Sequence, residues 1–144
     1  MAITKQQIIF LKELKKTAIS LENEGKCLTF LIGELSACDY LNMKWKPSDG
    51  YDAISKKGEL VQIKTRKSWS TQQVNGSGRL GKFGRKNGYQ FHKGVYIELD
   101  HDFEVSGIWE MSVAKIRNLE NKVPNGKALH VSDFRNNGSL LWSP

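Results

Sequence analysis

The tightest constraint on the fold comes from residues 50–67, GYDAISKKGELVQIKTRK. Two strand-like runs, YDAI and ELVQIK, flank a Ser-Lys-Lys-Gly turn, which predicts a β-hairpin. Side chains alternate along a strand, so Leu60, Gln62 and Lys64 share one face and Val61 and Ile63 the other. Both faces carry apolar residues, as in a strand covered on both sides. Yet Asp52, which shares a face with Ile54, interrupts that pattern together with Gln62 and Lys64. If the three lie on one face of the hairpin they meet. Buried charge is costly unless it is paired or bound to metal.

The flanking segments supply the covering layers. Ile8, Leu11, Leu14, Ala18 and Leu21 recur at helical spacing over residues 4–23, with Thr4 as N-cap and Gly25 as stop. A second helix is predicted over 27–42 from Leu28, Leu31, Leu35, Cys38 and Leu41, with Glu34 at the edge of its core-facing stripe. KPSDG, residues 46–50, reads as a turn or loop. Downstream, 94–100 and 105–111 read as strands around an acidic turn, with Tyr96 and Trp109 in the core. Residues 112–121 suit a short helix capped by Ser112, and 127–133 a last strand or edge segment. Trp142 reads as an anchor of the tail. Residues 68–90 lack periodicity and read as a long loop, a length uncommon without a function. The order predicts a single domain, residues 1–144, of the α/β (α+β) class: a mixed sheet of about four to five strands flanked by helices.

A carboxylate, an amide oxygen and an ammonium together suit metal-assisted phosphodiester hydrolysis. Mg²⁺ takes oxygen ligands and keeps several waters. Asp52 would supply the key carboxylate, Gln62 and the Ile63 carbonyl neutral oxygen ligands, and Glu34, from the edge of the helix, would ligate the metal directly or through water. Lys64 would orient water or offset charge on the phosphate. GYDAI followed by VQIKT, with GELSA in the preceding helix, resembles the PD-(D/E)XK nuclease superfamily, the restriction-endonuclease-like fold. The resemblance spans roughly residues 27 to 111 and implies that Asp52, Lys64 and Glu34 match the family's first acid, lysine and helix glutamate. Gln62 stands in place of the second acid, which removes one negative charge. Glu59 is the other source of that acid, although its parity points to the opposite face. The expected activity is a Mg²⁺-dependent endonuclease on DNA, of homing, restriction or junction-resolving type, with Mn²⁺ as a substitute. The alternative is an inactive nucleic-acid-binding domain, or a nuclease subunit, of the same fold.

Charge agrees with a polyanionic partner. The net charge is +7, and no acid occurs between Glu59 and Glu98. That interval holds Lys64 together with Arg66, Lys67, Arg79, Lys82, Arg85, Lys86 and Lys93, the expected DNA contacts. Trp69 or Phe83 would stack on bases, whereas His92 reads as structural. One site cuts one strand, so double-strand cleavage implies a homodimer, for which the N-terminal helix is a candidate surface. No signal peptide or membrane span is evident, and Cys27 and Cys38 lack metal-type spacing. An intracellular, cytoplasmic protein of prokaryotic or phage type, with reduced cysteines, is expected.

Overall fold

A computed structural model describes residues 2–20, 28–68, 78–85, 88–124 and 128–144. Leu21, Gly25, Cys27, Trp69 and Lys86 lie outside the described residues, as does the Ala18 side chain. Helices α1 (Lys5–Ser20) and α2 (Thr29–Leu41) precede strands β1 (Lys44–Ser48), β2 (Tyr51–Ile54) and β3 (Leu60–Lys67). Strands β4 (Lys93–Leu99) and β5 (Val105–Ser112), helices α3 (Val113–Lys122) and α4 (Val131–Asn137), and strand β6 (Ser139–Trp142) follow. The strands form a six-stranded sheet in the order β1-β2-β3-β4-β5-β6. Among the described residues, only β3 and β4 pair in parallel.

Local chemistry accounts for the ends of these elements. Thr4 caps α1: its Oγ1 accepts from the Gln7 N–H, and its own N–H donates to Gln7 Oε1. Ser112 caps α3 through the Lys115 N–H. Gly50, at φ +93°, makes the β1–β2 turn, and Gly58, at φ +82°, the β2–β3 turn.

The sheet is covered on both sides, as the two-faced apolar pattern of β3 requires. One core joins Leu11, Ile32, Leu35 and Cys38 of α1 and α2 to Val61, Ile63, Val95 and Ile97. The other joins Ile116 and Phe134 of α3 and α4 to Leu80, Phe83, Phe91 and Tyr96. Cys38 is a free, buried thiol, and burial pushes its pKa up to about 12. Among the described residues no helix is long and apolar enough to cross a membrane.

The strand count is six rather than four to five, for two reasons. KPSDG is not a loop throughout: residues 44–48 form edge strand β1, where Pro47 has a place because an edge residue need not donate to a ladder. Of the last strand or edge segment predicted at 127–133, residue 127 lies outside the described residues, His130 makes an isolated antiparallel bridge with Arg79, and residues 131–133 open α4, whose N-cap His130 N–H donates to Asp133 Oδ2. The last strand is β6, and Trp142 meets Tyr40 edge-on at 4.8 Å. The buried side of α2 also differs from the predicted stripe. Ile32, Gly33 and Ser36 are buried, whereas Leu28, Leu31 and Leu41 are only half-buried.

Candidate active site

The four-residue β2 faces only the first part of the eight-residue β3. Beyond it, residues 64–67 continue past the end of β2, leaving a notch where both faces of the sheet meet. Asp52, near the start of β2, sits at this notch. Its Oδ2 accepts from the Ile63 N–H at 2.8 Å and from Gln62 Nε2 at 3.0 Å. In an extended strand the N–H and C=O of one residue leave on the same side. The Ile63 carbonyl therefore faces the notch as well.

A cavity of about 320 Å³ occupies the notch and is lined by Glu34, Asp52, Gln62, Ile63 and Lys64. Arg66, Arg79 and Arg85 supply further lining, and Phe30 stands at it as well. Glu34 reaches the cavity because α2 lies directly on β3. A Cβ on Gly33 would fall on the Thr65 side chain, so glycine permits that approach. Glu34 Oε1 accepts from Trp45 Nε1 at 3.1 Å. Sequence reasoning did not anticipate this role for Trp45, which it left unassigned just ahead of the 46–50 turn or loop.

Burial, and then the negative charge of Asp52, push the Glu34 carboxyl up to about 7, against the Trp45 bond and Lys64. Burial also raises Asp52, opposed by the Ile63 N–H, Lys64 and Arg85. Lys64 is lowered by burial, while Asp52 pulls it upward. Two carboxylates and one ammonium thus share a poorly solvated space. The donor set fits a hard cation. Gln62 spends its nitrogen on Asp52, which leaves its Oε1 as the amide atom suited to a metal. Among the described residues no three His, Cys, Asp or Glu side chains gather as a metal group. A cation here would be held by Glu34, Asp52, the Gln62 amide and the Ile63 carbonyl, with water completing the shell.

The predicted DNA contacts divide. Arg66, Arg79 and Arg85 line the cavity, and Lys82 is exposed on the same loop. Arg79 Nη1 also donates to the Ala128 carbonyl at 2.6 Å, tying that loop to the segment before α4. Lys67 is placed elsewhere: it is buried, with its ammonium 4.6 Å from the Phe103 ring centre. Lys93 lies 3.5 Å from Glu59 and 3.1 Å from Glu110, in a separate depression. Glu59 is accordingly far from Asp52 in role as well as parity. His92 Nδ1 accepts from the Leu60 N–H at 2.8 Å, a structural use. Phe83 is 2% exposed and packs on Phe91 and Phe134, so it is core and not a wedge for bases. Glu120, which no sequence signal singled out, accepts from the Phe83 and Gly84 N–H groups and the Tyr89 hydroxyl. It thereby holds the loop that presents Lys82 and Arg85.

The Glu34 shift has a measurable consequence. The folded protein keeps this proton up to about pH 7, whereas the unfolded chain releases it near 4.5. The native state therefore binds more protons in that window, and stability falls as pH rises through it. In protein free of divalent cations, Tm is expected to drop between pH 4.5 and 7 more steeply for the parent than for Glu34→Gln. Parallel Tm profiles would contradict this electrostatic picture.

No protein-family model matches the chain, and no similar curated protein is found.

Proposed function

We propose that this protein is a metal-dependent endonuclease hydrolysing DNA phosphodiester bonds, of the PD-(D/E)XK type. The observation that carries the reading is the shared cavity of Glu34, Asp52, Gln62 and Lys64, drawn from α2, β2 and β3. A bound Mg²⁺ would polarise the phosphate and acidify a water. Asp52, Gln62, Ile63 and Glu34 would hold it. Lys64 would orient the attacking water and offset charge developing on the phosphate oxygens. Arg66, Arg79 and Arg85 would seat the flanking phosphates. One such site cuts one strand, so cutting both strands would call for two copies of the chain.

The test is cleavage of supercoiled plasmid, linear duplex and a four-way junction in Mg²⁺, Mn²⁺ or EDTA. Cutting that needs the cation supports the reading; cutting undiminished in EDTA overturns it.

One observation favours a second reading, a nucleic-acid-binding domain without activity. Gln62 adds no charge to the cation site and spends its nitrogen on Asp52. Gln62→Glu separates the two. It places a third acid among Glu34 and Asp52, so without cation its Tm should fall below that of the parent. Calorimetry should show tighter Mg²⁺ binding, with Tm recovering as the cation is added. A nuclease keeps its activity in this variant. A protein that binds DNA without cutting, and begins to cut only with Gln62→Glu, is the inactive domain.

A further inference from the structure

We infer that Phe30 is a stacking platform for one unpaired nucleobase beside the phosphate that the cavity receives; this rests on the nuclease reading above. Phe30 lies in α2 one turn before Glu34, so both side chains leave the same side of the helix. Phe30 is 63% exposed, the highest value among the large apolar residues described. Leaving most of a phenyl group in water forgoes the gain that burying it would bring. The other exposed large apolar side chains, on α1 and β6 and at Tyr40 near the end of α2, do not line the cavity, but Phe30 does.

Its surroundings say what would cover it. The ring shares the cavity with Arg66, Arg79 and Arg85 and with the carboxylates of Glu34 and Asp52. An apolar peptide would have to desolvate those charges without replacing their partners. A nucleotide satisfies both parts: its phosphate meets the arginines and the cation site, and its base offers a flat π-face to the ring. A base inside a duplex is already stacked above and below, so only its edges are open. Stacking on Phe30 therefore selects a nucleotide that has left the helix. The substrate class that follows is DNA with an unpaired nucleotide next to the cut, such as a single strand, a flap or a junction arm, in preference to uninterrupted duplex.

The test uses the full chain carrying Asp52→Asn, in EDTA, so that binding is read without cutting. Anisotropy of a labelled single strand of about 12 nucleotides, within the usual site size of such grooves, is compared with that of the matching duplex. Stacking typically contributes enough for about a tenfold change in affinity. Adding Phe30→Ala should weaken single-strand binding about tenfold and leave duplex binding within about twofold. Phe30→Trp should restore the affinity, and the emission it adds should be quenched by the strand. Because Phe30 is exposed, its replacement should leave the unfolding midpoint unchanged. Equal single-strand affinity with and without the phenyl group overturns the proposal, as does equal loss on strand and duplex. If the Asp52→Asn protein binds neither DNA form, the nucleic-acid reading itself falls. Binding that is indifferent to Phe30 removes the stacking platform alone.

Discussion

Asp52→Asn is expected to lower cation-dependent cutting by about 10³-fold or more while leaving the fold at least as stable as the parent. The asparagine side chain keeps an oxygen that can accept from the Ile63 N–H and from Gln62, so the hydrogen bonds at the notch survive. What disappears is the charge. Burial raises the Asp52 carboxyl above its ordinary value, so its ionised form is held at a cost in stability. A neutral amide relieves that cost. An acid whose folded pKa is raised subtracts stability above that pKa. Lys64→Ala should fall in the range of about 10²- to 10⁴-fold, typical of a lost acid–base or charge-stabilising group. Its ammonium is half-buried and lowered by burial, so its removal also relieves strain of solvation. Cleavage rates and Tm measured on the same preparations decide the matter. Lost activity with maintained Tm marks residues kept for chemistry at the expense of stability. Undiminished cutting in both variants would remove these side chains from the reaction.

The parts of the site that were legible in the sequence are those fixed by local rules. Alternation along β2 and β3 and the glycine turn between them put Asp52, Gln62 and Lys64 together before any tertiary contact is known. Glu34 was legible as a stripe-edge residue because helical phase places it, even though the buried side is centred on Ile32, Leu35 and Ser36. The rest depends on what lies across the molecule. Lys67 and Lys93 look like any other lysines of a basic interval. One is buried over Phe103 and the other is paired with Glu59 and Glu110, partners set by tertiary packing. Phe83 departs from its expected role for the same reason, and Phe30 was given none. Phe83, in a glycine-rich polar segment, fills the core against Phe91 and Phe134, while Phe30, in an apolar helix, faces the cavity. The β3–β4 pairing was hidden because parallel strands need a long crossover, and this one runs through a segment with no periodic signal. β1 was hidden because an edge strand of Lys, Trp, Lys, Pro and Ser carries neither alternation nor an apolar run.

Gly33→Ala is expected to be the most damaging small substitution at the site. In an ordinary helix interior, alanine in place of glycine gains about 1 kcal/mol. Here the added methyl would fall on the Oγ1, Cγ2 and Cβ atoms of Thr65, a fully packed residue of β3. Overpacking of this kind typically costs about 1–3 kcal/mol, and separating α2 from β3 also opens the core around Ile32 and Leu35. A net loss of about 2 kcal/mol is expected, a fall in Tm of about 6 °C for a chain of this size. The cause can be isolated by coupling. Thr65→Gly removes the three obstructing atoms at its own cost, so the double variant should be distinctly more stable than the sum of the single losses. Simple additivity of the two losses in urea unfolding would mean that the helix does not rest on that strand. The same pair reports on the site, because Glu34 follows Gly33 directly. If the close approach of α2 is what brings Glu34 toward Asp52, Gly33→Ala should move the Glu34 titration down toward its ordinary range, and the double variant should return it toward about 7.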